Sequence, residues 1–86
     1  MVWRVEFAAR AKRELDALDA TARERIIKAL NRLAADPRKA SNVKALYGGS
    51  YRLRIGDYRV IYALENDVLV VLVLKVGHRR EVYRGT

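Results

Sequence analysis

The residues in this sequence that could do chemistry are mostly basic, and the densest group lies in the second half. Arg52 and Arg54 alternate with apolar residues before the dipeptide Gly56–Asp57, and Arg59 follows it. Gly-Asp is a signal for a two-residue β-hairpin turn, which places Arg54 directly opposite Arg59. All three arginines then share one face of the hairpin. The same register pairs Ile55 with Tyr58, Leu53 with Val60 and Arg52 with Ile61.

Two interpretations of this arginine face are open. Like charges that directly oppose each other on a sheet are unfavourable, and Arg54 and Arg59 would form such a pair. A bound anion would make the arrangement favourable, because guanidinium groups bind phosphate oxygens in a bidentate way. We therefore predict an anion site here, and the alternative is an arginine surface that is only solvated.

A second basic segment follows the last apolar run. Antiparallel pairing is expected to bring Lys75 and Val76 beside Tyr58, so that the residues after Val76 emerge near the arginine face. A tail that mixes cations with an aromatic ring suits phosphate contact combined with base stacking, although a C-terminal tyrosine can equally be a lid on the core. The residues in question are His78, Arg79, Arg80, Tyr83 and Arg84.

Metal and nucleophile chemistry find little support in the sequence. His78 is the only histidine, there is no cysteine, and no carboxylate cluster with ligand spacing accompanies it. We predict no metal site and no cofactor. The titration range of histidine would suit acid–base catalysis, but a lone histidine after a glycine is more often a turn residue. Phosphate-binding loops, dinucleotide-binding glycine patterns and Ser/His/Asp groupings cannot be assembled.

Composition predicts one folded domain over residues 1–86 with a polyanionic partner. The chain is 51% hydrophobic and 33% charged, which is enough for one compact core. Its formal charge of +8 favours RNA, DNA or ribosomes. The lack of cysteine fits a reducing cytosol, and no apolar run approaches the ~20 residues that span a bilayer. We expect a cytoplasmic protein without a membrane partner.

The first half predicts a strand and two helices. Alternation over Val2–Phe7 favours a strand, and the spacing from Ala8 to Leu18 favours a helix. Thr21 and Glu24 form a capping-box pattern that would start a second helix, which should stop near Ala35 because Pro37 follows. The predicted buried stripe of this second helix is Ile26, Ile27, Leu30, Leu33 and Ala34.

The second half predicts a meander after an irregular connection over 38–50. The hairpin strands lead through a turn at Asn66–Asp67 into Val68–Val76, whose β-branched and leucine content favours a central strand. The expected fold class is α+β: a strand, a two-helix hairpin and a three-stranded antiparallel meander. The helices should pack on one face of a largely antiparallel sheet.

The stretch YRLRIGDYRVIYAL, followed by LVVLVLKVGHRREVYR, resembles the RelE/ParE toxin superfamily, and the resemblance spans essentially the whole chain. It implies the RelE fold and the toxin role in a type II toxin–antitoxin system. RelE-like members bind the ribosomal A site and cut mRNA there to a 2′,3′-cyclic phosphate. The resemblance therefore implies a metal-independent endoribonuclease (mRNA interferase) that inhibits translation. Its partners would be the ribosome, mRNA and a RelB-like cognate antitoxin, with DNA reached only through the antitoxin.

The resemblance also implies roles for individual residues. The family's paired basic positions fall on Arg52 and Arg54, its next arginine on Arg59, its arginine after the last strand on Arg79 and its tyrosine near the end on Tyr83. These five are the implied catalytic residues, with Arg80 as a close alternative to Arg79. Further RNA contacts are expected from Arg52, Arg54, His78, Arg80 and Arg84.

Some members of the family that this sequence resembles carry lysines where this chain has Arg52 and Arg54. Arginine does not readily lose its proton, so neither residue is a credible general base. The proton acceptor is left open between Tyr83, His78, Glu81 and ribosomal RNA. Two other functions are also open: a ParE-like DNA gyrase inhibitor, and a non-catalytic module that binds RNA or ribosomes.

Overall fold

The computed structural model describes residues 3–37, 42–46 and 48–78. Along the chain these form β1 (Arg4–Phe7), α1 (Ala9–Asp16), α2 (Ala20–Ala35), β2 (Val43–Ala45), β3 (Ser50–Ile55), β4 (Tyr58–Glu65) and β5 (Val70–His78). The predicted α+β order of strand, helical hairpin and meander is confirmed. The extent of the domain over residues 1–86 stays a prediction.

The five strands form one sheet in the order β1-β5-β4-β3-β2. The meander β3–β4–β5 is antiparallel, as predicted. Strand β1 is an edge strand that pairs parallel with β5. Strand β2 pairs antiparallel with β3, so the prediction of an irregular connection over 38–50 was wrong for Val43–Ala45 and for Ser50, which begins β3. Three residues allow only one alternation of side chains, which is too short a pattern to be recognised as a strand.

Both helices lie on one face of the sheet and close the core. Buried side chains of α1 and α2 meet those of β3, β4 and β5. The fully buried residues of this core include Tyr62, Ile26, Leu30, Leu53, Val60, Val71 and Val73. Four of the five residues predicted for the buried stripe of α2 are buried. Ile27 is not, because it is 40% exposed on the outer side of the helix. Neither α1 nor α2, the helices of the described residues, could span a lipid bilayer.

The start of α2 differs from the prediction. Asp19 is the N-cap, and its carboxylate accepts a hydrogen bond from the Ala22 backbone N–H at 2.8 Å. The predicted capping box at Thr21 and Glu24 was wrong, because an aspartate two residues earlier satisfies a backbone donor and complements the helix dipole. The helix ends at Ala35, as predicted.

Strand β5 begins two residues later than predicted. A turn covers Asn66–Leu69, with Leu69 at a φ of 53°, and Val68 is 59% exposed. Strand β5 lies between β1 and β4, so it is an interior strand of the sheet, as predicted, and β4 is the middle strand of the five. A β-bulge between Ile61 and Tyr62 shifts the pairing of β4 with β5, and this irregularity cannot be inferred from alternation alone.

Candidate nucleic-acid interface

The register of the β3–β4 hairpin matches the sequence prediction at every predicted pair. Arg54 lies opposite Arg59 and Arg52 opposite Ile61. The turn between the strands uses Gly56 at a φ of 57°, a left-handed conformation that glycine adopts without strain. A residue with a Cβ at this position would also meet the Arg25 guanidinium, whose Nη2 lies 2.9 Å from the ideal Cβ position.

This register sorts the two strands into unlike faces. The side that faces the helices carries Leu53, Val60 and Tyr62, all at most 2% exposed. The opposite side, which we call the open face, carries Arg52, Arg54 and Arg59, because residues directly paired across strands point to the same face. The three guanidinium-bearing residues therefore lie together, as predicted.

Two lysines that the sequence reasoning missed extend this cluster. Lys44 on β2 pairs with Arg52, and Lys75 on β5 pairs with Ile61, so both lysines lie on the open face. Lys44 was missed because β2 was not recognised, although a lysine between Val43 and Ala45 is a weak signal for an edge strand. Lys75 was misplaced because the predicted pairing of β5 was wrong. We call the set Lys44, Arg52, Arg54, Arg59 and Lys75 the basic face.

The members of the basic face differ in exposure. Lys44 and Arg54 are exposed, whereas Arg52 and Lys75 are partly buried. Arg59 is only 7% exposed, and its Nε and Nη1 atoms are shielded from solvent. Arg59 is therefore largely covered, unlike the exposed Arg54. Arg59 lies on the middle strand of the sheet, whereas Arg54 lies on β3, next to the three-residue edge strand β2.

Acidic residues on the described strands lie away from the basic face. Glu6 and Glu65 are on the open face, but they pair with Leu72 and Val70, toward the other end of the sheet. Glu6 also forms an ion pair with Arg4 at 2.8 Å. The open face is therefore polarised, with positive charge at the hairpin-turn end.

The backbone of Arg54 is held at two points by Asn42. The Asn42 side-chain Nδ2 donates to the Arg54 carbonyl oxygen at 2.7 Å, and the Arg54 N–H donates to the Asn42 carbonyl oxygen at 3.1 Å. These bonds continue the β2–β3 pairing by one residue. They fix the backbone from which the most exposed arginine of the site projects.

The end of β5 lies beside Arg59, which pairs with Gly77. His78 rather than Lys75 or Val76 lies opposite Tyr58, with the two rings edge-on and their centroids 6.0 Å apart. Since Tyr58 packs against the core, His78 is on the helix side of the sheet. The expectation that His78 emerges near the arginine face was therefore wrong.

A side chain from α1 secures the outer edge of β5. Beyond Val73, β5 no longer pairs with β1, and there the Glu14 carboxylate accepts a hydrogen bond from the Val76 N–H at 3.0 Å. The other oxygen of Glu14 contacts Arg10 Nε at 3.3 Å. Glu14 thereby holds the strand end one residue before Gly77.

Among the described residues outside the basic face, one ionisable group has a shifted pKa. Burial, together with nearby Tyr51, raises the pKa of Tyr62 to about 12, so this phenol stays neutral near pH 7. In the described part of the chain, no group of three or more histidine, cysteine or carboxylate residues could hold a metal ion. The predicted site residues Arg79, Arg80, Glu81, Tyr83 and Arg84 lie outside the described residues.

Comparisons with known proteins agree with this architecture. A family model described as the ParE toxin of the type II toxin–antitoxin system matches residues 5–83. Toxin RelG of Mycobacterium tuberculosis is 28% identical over 98% of this chain and 99% of its own length. The mRNA interferase toxin RelE of Escherichia coli is 33% identical over 96% of this chain and 92% of its own length.

Solved structures from toxin–antitoxin complexes are also similar to this chain. A chain of the RelBE2 toxin–antitoxin complex of M. tuberculosis superposes with a TM-score of 0.81 at 26% identity, covering 92% of this chain and 100% of that one. A chain of the archaeal RelE–RelB complex from Pyrococcus horikoshii gives 0.79 at 29% identity, covering 92% and 97%.

Proposed function

Because this chain belongs to the RelE/ParE superfamily of type II toxin–antitoxin toxins, we propose that it is a ribosome-dependent endoribonuclease that cuts mRNA in the A site. Two lines of support favour cleavage of RNA. Relatives that are 33% identical are named mRNA interferases. The direct opposition of Arg54 and Arg59 on the open face is the observation that carries the proposal, because it concentrates cations where a phosphate can bind.

The proposed reaction is an attack by a ribose 2′-oxygen on the adjacent 3′ phosphorus. The 2′-oxygen loses its proton and bonds to phosphorus, while the bond from phosphorus to the 5′-oxygen breaks and that oxygen gains a proton. The products are a 2′,3′-cyclic phosphate and a 5′-hydroxyl. In the transition state, extra negative charge develops on the phosphoryl oxygens, and fixed cations stabilise this charge. The proposed step requires no metal ion.

Each basic residue has a proposed part in this step. Arg59 would stabilise the developing charge, and its burial favours this role because charges interact more strongly away from bulk water. Arg54 and Arg52 would hold the reacting and flanking phosphates. From outside the described residues, Arg79 would assist Arg59 and Tyr83 would stack on a base, with further RNA contacts from Arg80 and Arg84. His78 receives no phosphate contact in this proposal, because it lies on the helix side.

The general base is not supplied by these arginines. General acid–base catalysis typically contributes about 10²–10⁴-fold, whereas correct orientation can contribute roughly 7–11 kcal/mol. Orientation must therefore provide much of the rate. A ribosome that holds the mRNA with its 2′-hydroxyl in line would provide it, which is why the proposal includes the ribosome as a partner.

A RelB-like antitoxin is the second proposed partner. Several solved structures of similar proteins are complexes of a toxin with its antitoxin. An acidic segment of such a partner would complement the +8 charge of this chain. Contact with DNA would then occur only through the antitoxin, and the expected site of action is the cytoplasm.

The test adds purified protein to ribosomes programmed with a defined mRNA and maps the 5′ ends of the products. Cuts within the A-site codon, absent with naked mRNA, are the expected result. The matched variant Arg59→Ala should make these cuts about 10²–10³-fold more slowly. Intact mRNA with stably bound toxin would instead identify a non-catalytic ribosome-binding module.

Inhibition of DNA gyrase is the second candidate function, because the matching family model is described as a ParE toxin. This function predicts a loss of gyrase supercoiling activity in vitro, with translation unaffected. Inhibited gyrase and intact mRNA together would overturn the nuclease proposal.

A further inference from the structure

The basic face consists of two rows that run across the strands. The first row contains Arg54 and Arg59 and ends at Gly77 on β5. The second row is longer and crosses four strands, from Lys44 through Arg52 and Ile61 to Lys75. Successive rows on one face are two residues apart, or about 7 Å, and four strands span about 14 Å from first to last.

On the middle strand β4, positive charge on the open face does not continue along the strand beyond Arg59. Along β4, the residues after Arg59 on this face are Ile61, Ala63 and finally Glu65. A polyanion that followed the strand direction would leave the cations and approach a carboxylate. A polyanion that runs across the strands meets Lys44 on one side of Arg52 and Lys75 on the other.

The two lysines suit an anchoring role. A lysine ammonium is a compact point charge on a flexible stem, and it binds phosphate without the fixed geometry of an arginine fork. Neither Lys44 nor Lys75 forms an ion pair within the part of the chain that the structure describes. By contrast, Lys12 and Lys28 on the helices pair with Asp16 and Glu24.

We propose that single-stranded RNA crosses the sheet roughly perpendicular to its strands, with Lys44 and Lys75 binding phosphates on opposite sides of the nucleotide that is cut. The inference rests on the proposed function and adds a direction for the RNA and two anchoring residues. The arginine row holds the reacting phosphate, and the lysines set how much RNA the protein covers.

Binding of a non-cleavable oligonucleotide, with 2′-O-methyl ribose throughout, tests this path. Affinity is measured by fluorescence anisotropy over a salt series for the wild type, Lys44→Ala, Lys75→Ala and the double variant. Each lost phosphate contact on a single strand should make the slope of log affinity against log salt shallower by about 0.7. The slope of the double variant should therefore be shallower than that of the wild type by about 1.4. Thermal unfolding of each variant verifies that the fold is retained.

The control is the double variant Lys12→Ala/Lys28→Ala, which removes the same charge from the helices. Its slope should equal that of the wild type. Equal slopes for both double variants would overturn the proposal. So would a double variant Lys44→Ala/Lys75→Ala that loses affinity for an acidic peptide but not for RNA, because the row would then be a protein-binding surface.

Truncated oligonucleotides test the direction. When nucleotides are removed from one end, only one of the two single variants, Lys44→Ala or Lys75→Ala, should bind as well as the wild type. When nucleotides are removed from the other end, the other single variant should bind as well as the wild type. Dependence of both variants on the same end would contradict a crossing path. Wild-type cleavage on programmed ribosomes separates the two proposals: cleavage with unaltered variant slopes overturns only the path, whereas altered slopes without cleavage overturn only the nuclease function.

Discussion

The two faces of the β3–β4 hairpin are built from alternate residues of the same strands, yet they obey different constraints. On the helix side, Leu53 and Val60 are paired and almost fully buried. One position nearer the turn, Arg54 and Arg59 are paired, so that like charges are directly opposed. Packing explains the first pair. The second pair opposes two cations, which is unfavourable by itself and supports the proposed phosphate site.

The largest expected effect is on the helix side. Leu53→Ala should lower the free energy of unfolding by about 2–5 kcal/mol, because it removes buried methyl groups and leaves a cavity. Urea denaturation measures this loss. A loss below about 1 kcal/mol would show that the core tolerates this cavity and would weaken the contrast between the two faces.

Arg59→Ala should have the largest effect on activity. Removal of one group that stabilises transition-state charge typically costs about 10²–10³ in rate, so single-turnover cleavage on programmed ribosomes should fall by that factor. Arg59→Lys keeps the charge but not the fork and should recover part of the rate. Arg32→Ala, on an exposed part of α2, is the control and should cut at the wild-type rate.

The hairpin shows which part of the site could be predicted from the sequence. A two-residue turn with glycine fixes the register locally, so the pairing of Arg54 with Arg59 followed directly. Lys44 and Lys75 could not be placed, because β2 is only three residues long and the bulge at Ile61 and Tyr62 shifts β5. Both features depend on contacts between distant segments.

The same limit explains the other errors. Burial of Arg59 depends on the strands that pack beside β4. The face of the sheet on which His78 lies depends on the register between β4 and β5. Alternation within a single segment contains neither kind of information. By contrast, the end of α2 before Pro37 and the α+β order were predictable, because they depend on local propensity and periodicity.

Glu14→Ala should have an intermediate effect on stability, because Glu14 binds the backbone near the end of β5. It leaves the buried Val76 N–H without its acceptor, at an expected cost of about 1.5–3 kcal/mol. Hydrogen exchange at the Val76 amide should accelerate, whereas Glu14→Gln, which keeps an acceptor oxygen, should restore most of the protection. Asp16→Ala breaks a surface ion pair on the same helix and should cost at most about 1 kcal/mol. Unchanged exchange in Glu14→Ala would contradict the role of Glu14 at this edge.

The smallest expected effect on stability is the most informative about the open face. Arg54→Ala removes a cation directly opposite Arg59, so the isolated protein should be unchanged or more stable by up to about 1 kcal/mol. Cleavage by the same variant should nevertheless slow. Stability and cleavage that fall together would mean that Arg54 supports the fold.

A double-mutant cycle on A-site cleavage tests most directly whether Arg54 and Arg59 act on one phosphate. Single-turnover rates are measured on programmed ribosomes for the wild type, Arg54→Ala, Arg59→Ala and the double variant. If both arginines bind the reacting phosphate, the double variant should lose less than the sum of the single losses, with a coupling of about 0.5–3 kcal/mol. Losses that simply add would show that the two arginines act independently and would contradict a shared phosphate site.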